Sequence, residues 1–161
     1  WREGRDPNPY FQTDWYARTN SEVGRLGVNP LVHYLLVGES AGRRPVVYFD
    51  PEWYRQTHRL PAGQSALAHY LAHRFNQTIS PHPLFDPGWY LAHGGEAGRE
   101  RGDLFAHFLL AGMRDDVPPS PAFNPADWRA RTRGRPSRHF SEALSPEQDN
   151  PLIHYLLTTY A

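Results

Sequence analysis

Phe49-Asp50-Pro51-Glu52-Trp53-Tyr54 and Phe85-Asp86-Pro87-Gly88-Trp89-Tyr90 are one phrase written twice. Looser copies are Phe11-Gln12-Thr13-Asp14-Trp15-Tyr16 and Phe123-Asn124-Pro125-Ala126-Asp127-Trp128. The four Phe positions are separated by 38, 36 and 38 residues. A second block follows each first one: Asn29-Pro30-Leu31-Val32-His33-Tyr34, Ala66-Leu67-Ala68-His69-Tyr70, Phe105-Ala106-His107-Phe108 and Asn150-Pro151-Leu152-Ile153-His154-Tyr155. Pro7, Pro45, Pro81 and Pro119 each stand four residues before a Phe. Three blocks recurring together at one period mark a tandem repeat. They divide the chain into four repeats at 11–48, 49–84, 85–122 and 123–161, with residues 1–10 as the tail of a preceding repeat. Gly4-Arg5-Asp6-Pro7 matches Gly42-Arg43-Arg44-Pro45, so the natural protein is expected to extend upstream.

Local chemistry predicts the content of each repeat. Asp50-Pro51, Asp86-Pro87, Asn29-Pro30 and Asn150-Pro151 each pair an N-cap side chain with a proline suited to the first helical turn. Leu31, Tyr34 and Leu35 share one helical face. Gly38 and Gly112 stand where a left-handed C-cap would fall. Each repeat therefore reads as helix, loop, helix and extended Pro-rich linker. Two short helices cannot bury their apolar faces alone, so the expected fold is all-α, a short solenoid-like stack of two-helix repeats sharing an aromatic core. The fourth repeat carries a longer spacer around residues 129–149, and Arg129 follows its Trp where the others have Tyr16, Tyr54 and Tyr90.

Composition narrows the chemistry. All 17 basic residues among the 161 are Arg, which excludes a phosphate-loop lysine and Schiff-base catalysis. Cysteine is absent, so disulfides, thiolate nucleophiles and Cys-ligated zinc are excluded. No apolar run approaches the ~18 residues of a membrane helix. Seventeen acidic residues balance the arginines, which disfavours general polyanion binding. Aromatic residues reach 14% while hydrophobic residues in all are 39%, so rings must supply much of any core.

The blocks resemble a bacterial tandem repeat of the form F-D-x-x-W-Y, spacer, N-P-L-x-H-Y-L-x-x-G, G-R-x-P-x-P-x-F-D. Phe49-Asp50, Trp53-Tyr54, His69-Tyr70-Leu71, Pro81 and Phe85-Asp86 carry the resemblance in one repeat, with Arg74 in place of the Gly. Such repeats lie beside glycosyltransferase and sulfotransferase domains of surface-polysaccharide proteins. The resemblance implies an accessory module of glycan assembly or decoration, with no catalytic role assigned to the repeat.

The recurring histidines His33, His69, His107 and His154 invite a general-base reading, but one copy per repeat on an apolar helix points to a structural role. A backbone carbonyl or an acid such as Asp50 or Asp86 is the expected partner. His69 and His73 have the i, i+4 spacing of a zinc pair, with His82 nearby, yet no Glu stands beside the first His, so no metal is expected. Trp15, Trp53, Trp89 and Trp128 read as core. Tyr16, Tyr54 and Tyr90, whose hydroxyls favour a wet edge, read as lining an inter-repeat groove. Arg129, Arg131, Arg133, Arg135 and Arg138 form a dense run that could clamp a phosphate, sulfate or carboxylate. Arg5, Arg43 and Arg44 are expected to bond the last carbonyls of the preceding helix. Gly94-Gly95-Glu96-Ala97-Gly98 lacks the preceding strand of a nucleotide loop, so no cofactor is expected. The leading expectation is a non-catalytic module that holds a neighbouring domain, a partner protein or a polysaccharide. An enzyme built from His73, His82, His139 and the repeat-four arginines, and a nucleic-acid binder using Arg129 to Arg138, are the competing readings.

Overall fold

A computed structural model describes residues 5–94, 98, 100, 102–132 and 150–159. They are mostly helical, with isolated antiparallel bridges and no strand among the described residues. The chain divides into two compact units, Trp1–Ala72 and His73–Ala161.

In the first unit α1 is Thr13–Thr19, α2 Ser21–Leu26 and α3 Pro30–His33, which runs on as a π-helical turn over Tyr34–Gly38. Next come α4, Pro51–Thr57, and α5, Ala66–His73, whose last residue begins the second unit. In the second unit α6 is Pro87–Ala92, and α7, Leu104–His107, passes into a π-helical turn over Phe108–Gly112. Helices α8, Pro125–Thr132, and α9, Pro151–Thr159, follow. The spacer of repeat one is itself helical, so that repeat has three helices rather than two.

The helices begin where short polar side chains hold their first amides. Asp50 accepts from the Glu52 and Trp53 amides at 3.0 Å each. Asn29 caps Leu31 at 2.9 Å, Asp86 caps Trp89 at 2.9 Å and Asn150 caps Leu152 at 3.0 Å. Asp103, which has no following proline, caps Ala106 at 3.0 Å. The segments before each Phe are tight turns, not extended linkers. The Phe amide bonds the carbonyl three residues back in all four: Phe11 to Asn8, Phe49 to Val46, Phe85 to His82 and Phe123 to Ser120. Each odd repeat also closes on itself. The Gln12 amide bonds the Pro45 carbonyl at 3.2 Å, and the Asp86 amide bonds the Pro119 carbonyl at 2.8 Å.

Each repeat is built around three rings. Phe11, Tyr16 and Tyr34 lie 5.3–5.7 Å apart by ring centroid, and Phe49, Tyr54 and Tyr70 lie 5.3–5.8 Å apart. Phe85, Tyr90 and Phe108 repeat the triangle at 5.4–5.6 Å. In repeat four Tyr155 lies 5.5 Å from Phe123 and 5.2 Å from Trp128. The pairs are a mixture of tilted and edge-on, and the edge-on ones contribute roughly 0.5–1.5 kcal/mol each beyond their buried area.

This packing reverses the expected roles of Trp and Tyr. Tyr16, Tyr54 and Tyr90 are 0% exposed, whereas Trp15, Trp53 and Trp89 are only half-buried. It also corrects the reading of Arg129. Counted from Phe, Trp128 stands at the fifth position, as do Tyr16, Tyr54 and Tyr90. Its amide bonds the Asn124 carbonyl as the Tyr54 amide bonds Asp50. Trp128 therefore fills the tyrosine place, and Arg129 matches Arg55.

That register exposes a longer period. Phe11 and Phe85 are 74 residues apart, as are Phe49 and Phe123, Tyr16 and Tyr90, His33 and His107, Gly38 and Gly112, and Arg55 and Arg129. Repeats one and three carry the glycine and its π-helical turn; repeats two and four carry the arginine.

Candidate functional site

The recurring histidine bonds the recurring tyrosine of its own repeat, a partner the sequence reading did not name. Tyr16 Oη lies 3.0 Å from His33 Nδ1, Tyr54 Oη 2.9 Å from His69 Nδ1 and Tyr90 Oη 2.7 Å from His107 Nδ1. Asp50 and Asp86 are occupied as helix caps. The bond ties the first helix of the repeat to the helix of its second block. His154 lies outside the residues whose side chains are described.

In repeat one the pair continues into an acid. His33 Nε2 faces Glu22 at 3.9 Å, and Arg43 bridges Glu22 at 2.6 Å and Asn20. Arg44 bonds Asp50 at 2.6 Å. Arg43 and Arg44 thus each pair with side chains. Burial pushes Tyr16 up to about 12, opposed by the Arg43 charge and reinforced by Glu22. Tyr54 and Tyr90 are pushed up in the same direction by burial, with the Asp115 charge adding to the effect at Tyr90. The phenols are held protonated, and each Oη shares one hydrogen bond with Nδ1, the imidazole tautomer deciding which of the two donates.

A tyrosine–histidine–glutamate chain has the parts of a proton relay, but a relay needs a substrate at its end. Here main chain covers the phenol oxygens of Tyr16 and Tyr90. A Cβ built on Gly38 would collide with Tyr16 Oη, and one on Gly112 with Tyr90 Oη. The two glycines are therefore close-approach positions inside the π-helical turns, not left-handed caps. The left-handed residue after the first turn is Gly42, with φ 72°. Among the described residues the three pairs have the geometry of braces, two of them sealed by a glycine.

The accessible features of the first unit lie where its repeats meet. Glu39, 7% exposed, accepts from Ser65 Oγ at 2.6 Å and from the Ala66 amide at the start of α5. Arg55 faces the same carboxylate at 3.4 Å and donates to the Gln64 carbonyl at 2.6 Å. Above this junction is an open cleft of about 340 Å³ bordered by Leu35, Ser40, Glu52 and residues 62–65. Beside it runs an apolar row. Val32, Leu35, Leu36 and Val37 are all exposed, Leu36 at 74%. Val32, Leu35 and Leu36 share a face by i, i+3, i+4 spacing. This row was not picked out in the sequence because a Leu-rich helix ordinarily reads as core.

The other candidates are dispersed. Arg129 pairs with Asp116 and donates to the Met113 carbonyl, so it is engaged inside its own unit. Arg131 is exposed on α8. Arg133, Arg135, Arg138 and His139 lie outside the described residues, as do Gly95, Glu96 and Ala97. His73 is exposed at the end of α5. His82 is buried and its Nδ1 accepts the Leu84 amide at 3.0 Å within a turn. Among the described residues no three His, Asp or Glu groups converge as metal ligands, and no helix is long and apolar enough to cross a membrane. Comparison with protein-family models, curated proteins and solved structures finds no match for this chain.

Proposed function

We propose that the chain is a non-catalytic interaction module whose repeats stack as a short array and which holds a polypeptide partner on repeat one. The carrying observation is the exposed row Val32, Leu35, Leu36 and Val37, four of the six large aliphatic side chains exposed among the described residues, the others being Leu26 and Leu110. Exposed apolar side chains that are contiguous, rather than scattered singly, point to an interaction site. The recurring tyrosines and histidines support the same reading, because in each described pair the tyrosine hydroxyl is bonded to the histidine of its own repeat. The resemblance to the bacterial repeat would make the partner a glycan-building or glycan-modifying protein, or a domain of one. The anionic-glycan reading rests on arginines, and Arg129, the one first in the run, is already paired.

The test presents the whole chain to a displayed random-peptide library and to an array of neutral, carboxylated and sulfated oligosaccharides. Enriched peptides that lose binding to Leu36→Ser are the expected result. Binding of sulfated or carboxylated oligosaccharides, lost in Arg131→Ala and untouched by Leu36→Ser, would replace the polypeptide partner with a glycan.

A further inference from the structure

Leu35 belongs both to the apolar row and to the neighbouring cleft, so one ligand can engage the two together. The charges around the cleft are unequal. Glu52 is exposed at its rim, with one carboxylate oxygen held by Gln56 at 2.7 Å and the other side open to solvent. Glu39 lies behind it, buried. The cation among the lining residues is Arg55, and both of its terminal nitrogens are engaged, one on the Gln64 carbonyl and the other on Glu39. An incoming carboxylate would meet two acids and a committed guanidinium. An incoming guanidinium or ammonium would meet the open side of Glu52 with a second negative charge behind it.

We infer that the partner segment is basic as well as apolar: a polypeptide stretch in which Arg or Lys adjoins aliphatic residues. Its aliphatic side chains cover Val32, Leu35 and Leu36, and its cation enters the cleft toward Glu52. The inference rests on the polypeptide-binding reading and specifies the chemistry of the partner. The apolar row supplies contact area, and the cleft selects the sign of charge. Because Glu52 is exposed, its share of the attraction is screened by salt.

The test uses peptides enriched from the display library on the whole chain, resynthesised and measured by fluorescence anisotropy. The expected consensus places Arg or Lys next to aliphatic residues. Affinity falls roughly fivefold or more in Glu52→Arg, through lost attraction and gained repulsion, and weakens as salt rises. Replacing the basic residue of the peptide by Glu weakens binding to the wild type and restores it to Glu52→Arg. Circular dichroism of Glu52→Arg, an exposed position, checks that the fold is intact. Peptides that depend on Leu36 but carry no basic residue, or that ignore Glu52→Arg, would overturn this inference and leave the interaction module standing. Peptides indifferent to both Leu36→Ser and Glu52→Arg would overturn both.

Discussion

A tyrosine hydroxyl and an imidazole nitrogen, 15 or 17 residues apart in the chain, make the smallest recurring unit of this molecule. Removing one partner costs more than removing both, since the survivor is left desolvated without its bond. Tyr16→Phe is expected to lower unfolding stability by about 1–3 kcal/mol in urea titration, and Tyr16→Phe with His33→Leu to lose less than the sum of the single changes. Tyr16 ionises near 12 in the folded chain against an ordinary 10.0. Between those values the unfolded chain releases the phenolic proton and the folded chain keeps it. The contribution is therefore complete below pH 10 and fades as pH rises through about 12. Thermal melts from pH 9 upward should show a falling midpoint, with Tyr54 and Tyr90 adding to the slope in the same direction. The sequence made the histidines conspicuous but could not name their partner, because nothing in a tyrosine's spacing says where its hydroxyl goes. The same gap inverted the Trp and Tyr roles. A tyrosine with a buried acceptor can be sealed completely, while the larger indole ends at the half-buried edge.

At the level of the element, caps were legible and the π-helical turns were not. Asp-Pro and Asn-Pro act on amides two or three residues away, so local reading sufficed for Asp50, Asp86, Asn29 and Asn150. Gly38 looked like a C-cap because glycine at a helix end usually is one. Its actual reason, a phenol oxygen resting on its Cα, comes from a helix more than twenty residues earlier. Two glycines separate these cases. Gly112→Ala forces a methyl into Tyr90 Oη and is expected to destabilise by about 2 kcal/mol or more, in the range of overpacked cores. Gly24, inside α2 with open space where its Cβ would stand, is expected to stabilise by about 0.5–1 kcal/mol on change to Ala. Chemical denaturation of the two variants beside the wild type checks both signs.

For the whole molecule the decisive count runs from Phe rather than Trp, because the phenylalanine fixes where the helix begins. Counting from Trp hid the match between Arg55 and Arg129 and, with it, the alternation of odd and even repeats. Each of these arginines grips the end of the repeat before it: Arg55 at Glu39, Arg129 at Met113 and Asp116. Amide hydrogen exchange should therefore respond regionally. Arg55→Ala is expected to lower protection at Ala66 and along 35–39, and Arg129→Ala along 109–116, read by mass spectrometry. The matching place in repeats one and three holds Ala17 and Leu91, which have no guanidinium to offer.

An arginine that always reaches backward from an even member to an odd one gives the chain parity. Excising a single member would set two grips, or two gripped ends, side by side, whereas removing 74 residues restores the original alternation. Copy number in related chains should accordingly rise and fall by twos, with duplication and loss acting on the couple as the heritable module.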